Sequence, residues 1–148
     1  MKINVTKKEY RTLMELLFLG DWVLHAHSVE DRPETAAHRA LFDKIKSYYK
    51  DFHCEDLVFP SDDNTAYFES REFEDTMLKY VEDYDDQSFW SELPSRLAVR
   101  DAFDGISEHQ RQVMTAEERV GLIWDAEQPW ADELEQHGLN RIGVVGKE

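Results

Sequence analysis

Apolar residues recur at helical spacing along most of the chain, and the first such run carries the clearest start signal. Thr6-Lys7-Lys8-Glu9 has the form of a capping box, in which the threonine hydroxyl takes a first-turn amide hydrogen and the glutamate reaches back to the Thr6 N–H. Val5 stands where a hydrophobic staple meets Tyr10. Behind it, Tyr10, Leu13, Met14, Leu16, Leu17, Phe18, Leu19, Trp22, Val23 and Leu24 put apolar groups around most of a helix. A surface helix has a single apolar stripe, so this pattern predicts a central helix over 7–27. Trp22 is expected in the core.

Ser28–Arg32 reads as a polar turn, and Pro33 suits the first position of a second helix. Ala37, Leu41, Ile45, Tyr48 and Phe52 then recur at threes and fours, predicting a one-faced helix over 33–52. The period is lost across 53–69. There, Leu57-Val58-Phe59 and Ala66-Tyr67-Phe68 flank the turn cluster Pro60-Ser61-Asp62-Asp63-Asn64, a pattern open to a small hairpin or an irregular loop.

A third helix is expected over 70–84, capped by Ser70, with Phe73, Met77, Tyr80, Val81 and Tyr84 as its buried stripe. Asp85 and Asp86 read as its end and as the cap of another helix over 88–103, which contains Pro94. A second capping box, Thr115-Ala116-Glu117-Glu118, opens a last long helix that Pro129 bends and Gly138 stops. Ile142–Gly146 has strand composition. The expected fold is therefore mostly α. It is a single domain over 1–148, with five or six helices around the apolar N-terminal one, and allows a minor hairpin or C-terminal strand.

Charge changes this picture more than composition does. Of a formal net charge of −15, residues 51–86 carry −11, from thirteen acidic and two basic side chains. Seven Phe and Tyr rings are threaded among those acids, which a disordered acidic tail lacks. The segment reads as folded, with a strongly negative face. Such a balance argues against direct contact with nucleic acid or anionic lipid, because neutralising phosphates requires Lys and Arg.

A lone Cys54 excludes an intrachain disulfide and suits a reducing, cytoplasmic setting. The N-terminal outline of Lys2, Lys7 and Lys8 before Leu13–Leu24 mimics a signal peptide. Glu15 and Asp21 interrupt the apolar stretch, so a cytosolic helix is the expectation.

Candidate chemistry is sparse. Asp21 and His25 lie four apart on one helix face, an arrangement in which a carboxylate orients an imidazole for acid–base work. His27 or His38 would extend it toward a metal cluster, although His25 and His27 point apart on a helix. The competing reading is a polar pair at a helix end.

His53-Cys54-Glu55 groups three ligand types, but zinc needs about four ligands, usually from paired motifs. A reactive thiol prefers an electropositive setting, whereas Cys54 adjoins Glu55 and Asp56. Asp62-Asp63-Asn64, Asp83-Tyr84-Asp85-Asp86 and Asp101–Gly105 are oxygen-rich, yet none has calcium-loop spacing. Phosphate-binding glycine loops and nucleophile elbows are absent from the sequence.

Trp90, Trp124 and Trp130 lie in polar surroundings and suit a protein interface. The expected function is a non-enzymatic, acidic interaction protein that needs no cofactor or metal. Its partner would be a protein, basic in character, or a second copy. The expected surface comprises Glu69, Glu72, Glu74, Asp75, Glu82, Asp83, Asp85, Asp86 and Trp90. Two alternatives stand beside it: a small acid–base or metal-dependent enzyme built on Asp21 and His25, and a nucleic-acid mimic that occupies a basic partner's groove.

Overall fold

A computed structural model describes residues 3–30 and 32–143. The chain is mostly helical, with five α-helices and one antiparallel hairpin among the described residues. It divides into two compact units, Met1–Asp83 and Tyr84–Glu148, and the division falls inside a helix.

In the first unit, α1 (Lys7–His25) starts at the capping box: Thr6 N donates to Glu9 Oε2 at 2.8 Å, and Glu9 N donates to Thr6 Oγ1 at 3.3 Å. Tyr10, Met14 and Phe18, spaced by four, bury the core-facing stripe. The rest of the helix is not enclosed. Leu16 is exposed, Val23 is 80% exposed and Trp22 lies partly in solvent, so α1 supplies one wall of the core.

A short 3-10 turn (Pro33–Thr35) leads into α2 (Ala36–Lys46), after which the chain turns irregularly through 47–53. The buried face of α2 differs from the expected stripe. Leu41 is exposed, and Phe42, Lys46 and the following Tyr49 point inward instead. A lysine within that second periodic stripe hides it from a hydrophobicity reading. Lys46 is buried because Nζ lies 2.9 Å from Asp43 Oδ1, 3.2 Å from Glu69 Oε1 and 4.5 Å from the centre of the Phe42 ring.

The two apolar runs after Cys54 form the hairpin. Strands β1 (Val58–Pro60) and β2 (Tyr67–Glu69) pair with Phe59 opposite Phe68. The turn is closed by Asp63 Oδ1, which accepts from the Ser61 and Thr65 hydroxyls at 2.6 and 2.7 Å and from Thr65 N at 3.1 Å. Asn64 takes a left-handed conformation, which asparagine tolerates better than most residues. Cys54 and Leu57 join Tyr10, Met14, Phe18, Phe73 and Met77 in the core, where Tyr10 stacks on Phe52 with centroids 4.3 Å apart.

Helix α3 runs unbroken from Arg71 to Asp101, so Asp85 and Asp86 lie within a helix and neither end nor cap one. The sequence Asp85-Asp86-Gln87 holds no glycine or proline to stop it, and Pro94 is accommodated within the helix. Ser70 caps its start as expected: Oγ accepts from Phe73 N at 3.3 Å and donates to the Asp56 carbonyl at 2.7 Å. In the first unit's share of α3, Phe73 and Met77 face the core. Tyr80 does not continue their stripe and is 60% exposed; Val81 is half-buried.

The second unit contains the remainder of α3, then α4 (Glu108–Val113) and α5 (Ala116–His137). Capping boxes open both short and long helices, at Ser107/Gln110 and Thr115/Glu118. Side chains tie α3 to α5: Ser95 Oγ to Glu127 Oε1, and Trp130 Nε1 to Asp101 Oδ2 at 2.8 Å. The Arg100 guanidinium lies 5.4 Å from the Trp130 ring. Burial is thin here. Ala98 and Leu134 are the buried hydrophobic side chains among the described residues, joined by buried Pro94, while Tyr84, Val120 and Trp124 face solvent. The expected C-terminal strand falls largely outside the described residues; Ile142 and Gly143, which are described, are not in a strand.

No described helix is long and apolar enough to cross a membrane.

Candidate functional site

Two sets of residues matter. The first is the acidic stretch of α3. Glu72, Asp75, Glu82 and Asp83 are exposed in the first unit, with Tyr80 among them. Among the described residues, Glu72, Glu82 and Asp83 have no cation within ion-pair distance, and Asp75 meets Arg71 at only 3.8 Å. Glu74 is half-buried.

Glu69 does not belong to this surface. Its carboxylate turns inward to Lys46 and joins β2 to α2, as sequence alone, blind to that lysine's burial, does not reveal. In the second unit Asp85 and Asp86 are exposed. Trp90 is tethered, its Nε1 donating to Asp86 Oδ1 at 3.1 Å and its ring packing edge-on against Phe89. Trp90 also borders a hollow with Pro94, Ala131, Leu134, Glu135 and Gly138. At Gly138 the positive φ of 55° favours glycine, and an added Cβ would meet Trp90 at 3.9 Å.

The second set is Asp21 and His25, which the structure does bring together, with a third member the sequence did not suggest. His25 is buried. Its Nδ1 lies 3.0 Å from the Asp21 carbonyl and 2.9 Å from Asp21 Oδ1, and Nε2 lies 2.7 Å from Thr35 Oγ1. Nδ1 faces only acceptors and therefore carries a proton. The ring N–H points at the carbonyl, so the buried Oδ1 has the charge contact without an in-line hydrogen bond. Thr35 Oγ1 is also 3.0 Å from the Arg32 carbonyl, and Arg32 Nη1 donates to the Leu24 carbonyl at 2.9 Å.

Carboxylate, imidazole and hydroxyl in series is the order of groups that activates a nucleophile. Here the hydroxyl belongs to a threonine only 5% exposed. Asp21, His25 and Thr35 do not line the hollows bordered by Phe103, Val99, Trp90 or Tyr67. The arrangement secures the elbow between α1 and α2. His27 and His38 are exposed and do not join it, and no group of three or more His, Cys, Asp or Glu among the described residues is placed to hold a metal ion. The Thr35 contribution had no legible signal, because a hydroxyl ten residues from a histidine reads as a turn.

Cys54 is fully buried, its Sγ 3.4 Å from the Phe52 carbonyl. In the Asp62–Asn64 turn, the three hydrogen bonds to Asp63 Oδ1 hold that carboxyl down at about 2. Comparison with family models, with curated proteins and with solved structures finds no match.

Proposed function

We propose that the protein is a non-enzymatic interaction protein whose α3 docks onto a basic protein partner. One observation carries this reading: an ordered helix carries the largely solvent-exposed Tyr80 together with Glu72, Glu82 and Asp83, which meet no cation among the described residues. Unpaired charge on a fixed helix steers an oppositely charged surface toward itself, and a ring with a polar tip supplies contact area once they meet. Pairing of this segment with its own copy is opposed by the −15 charge each chain carries. The burial of His25 and Thr35, whose ring nitrogen and hydroxyl are already engaged with each other and with backbone carbonyls, favours a structural role over catalysis.

The test places a photo-crosslinking residue at position 80, identifies the captured protein, and titrates it in pure form against the full chain. Tyr80→Ala and the triple change Glu72→Gln, Glu82→Gln, Asp83→Asn should each weaken binding about tenfold, with a steep loss as salt rises from about 50 to 200 mM. Unchanged affinity in both variants, or salt-independent binding, removes the proposal. Displacement of the chain by nucleic acid would identify the basic surface as a nucleic-acid groove.

A further inference from the structure

We propose that the second unit carries a binding site for a small phosphomonoester, in the hollow of about 630 Å³ lined by Phe103, Ile106, Glu108, Arg111, Gln112 and Arg119. Its volume falls in the range of small-molecule sites. Its charge sets it apart. Arg11, Arg32, Arg71, Arg96, Arg100 and Arg141 each have a carboxylate within 4 Å, as expected in so acidic a chain. Arg111 and Arg119 have none among the described residues, and both open onto this hollow.

Both guanidinium groups are held in place without being neutralised. Arg111 Nη2 donates to the Phe103 carbonyl at 2.6 Å, with its guanidinium 5.3 Å from the Phe103 ring. Arg119 Nη2 donates to the Arg111 carbonyl at 2.8 Å. Each keeps most of its N–H donors for a ligand, and donors anchored in advance lose little freedom on binding.

Two fixed cations match the charge of a phosphomonoester, roughly −1.5 to −2 at neutral pH, better than that of a single carboxylate. Phe103 and Ile106 provide apolar wall for the group that the phosphate esterifies. Glu108 is the opposing charge on the lining and limits affinity for any anion.

Full-length protein is titrated with phenyl phosphate at about 0.15 M salt, where the chain's distant carboxylates are screened, while the arginine Nε–H signals are followed by NMR. Saturable shifts are expected at Arg111 and Arg119. Arg111→Gln and Arg119→Gln should each weaken binding about tenfold, and benzoate should bind about tenfold less well than phenyl phosphate. Glu108→Gln should tighten binding, a gain that a misfolded variant cannot produce. The proposal is overturned by shifts that do not saturate, by equal affinity for benzoate, or by a Glu108→Gln protein that binds no better. Should the arginine variants fail to fold by circular dichroism, the benzoate and Glu108 comparisons decide with both arginines intact.

Discussion

Replacing Lys46 by methionine tests the least expected part of the first unit's interior. The lysine side chain is 9% exposed, that of Glu69 15% and that of Asp43 63%. After Lys46→Met, Asp43 regains water at little cost, whereas Glu69 is left charged in a mostly enclosed place. Breaking a fully buried pair costs about 3–5 kcal/mol. Partial access of water to Glu69, together with the apolar contact methionine keeps with Phe42, brings the expected loss to about 2–3 kcal/mol.

Glu69→Gln alone should cost only about 1 kcal/mol, since Asp43 still holds the ammonium. The double variant removes the stranded charge and should be no less stable than Lys46→Met alone, giving a coupling energy of at least about 1 kcal/mol. Amide hydrogen exchange at Met14, on α1 and wholly within the first unit, reads the opening of this unit in the full chain. Additive losses, or a Lys46→Met effect below about 0.5 kcal/mol, would refute the view that Lys46 neutralises Glu69 inside the fold.

Other expectations follow from single contacts. Tyr10→Phe removes a 2.8 Å hydrogen bond to the Ile45 carbonyl, which keeps its bond from Tyr48 N; the same exchange measurement should show a loss of about 1 kcal/mol. Burial holds the Tyr10 hydroxyl well above the usual tyrosine range. Its contribution is thus complete below about pH 10 and declines as pH rises beyond it, which an alkaline stability series on wild type and Tyr10→Phe would reveal. Asp63 has the opposite sign: held down at about 2, its turn is fully supported above about pH 4 and is released as pH falls through 2, so the Thr65 amide shift should titrate near 2 and not near 4. His25→Ala takes from Thr35 Oγ1 one of its two partners and from the buried Asp21 Oδ1 its contact with the ring, and should destabilise the first unit by about 1–3 kcal/mol in urea titration; near-wild-type stability would refute a role for His25 in securing the elbow between α1 and α2.

Local signals proved the legible part of this sequence. The capping boxes at Thr6 and Thr115 and the Ser70 cap needed only residues a turn apart, and each stands where spacing placed it. The mostly helical class followed from them. What depended on tertiary pairing was hidden: Lys46 inside the core needs Glu69, twenty-three residues on, to make sense. Tyr80 keeps helical spacing with Phe73 and Met77 yet faces outward, because periodicity tells which residues share a face and not how far along the helix a neighbour extends. Asp85 and Asp86 looked like an end since acids favour caps, but without a glycine or proline the helix continues. At the candidate site, Asp21 and His25 were readable from their spacing; Thr35, Arg111 and Arg119 were not, as their significance rests on partners present or missing in space.

Everything proposed for α3 requires that its carboxylates and Tyr80 be displayed from a persistent helix. Amide hydrogen exchange of Thr76–Asp83 in the free protein measures this directly. Strong protection at Tyr80, Val81 and Glu82, of the order of about a hundredfold or more over an unstructured chain, is the predicted result. Exchange at unstructured rates across those amides would contradict it.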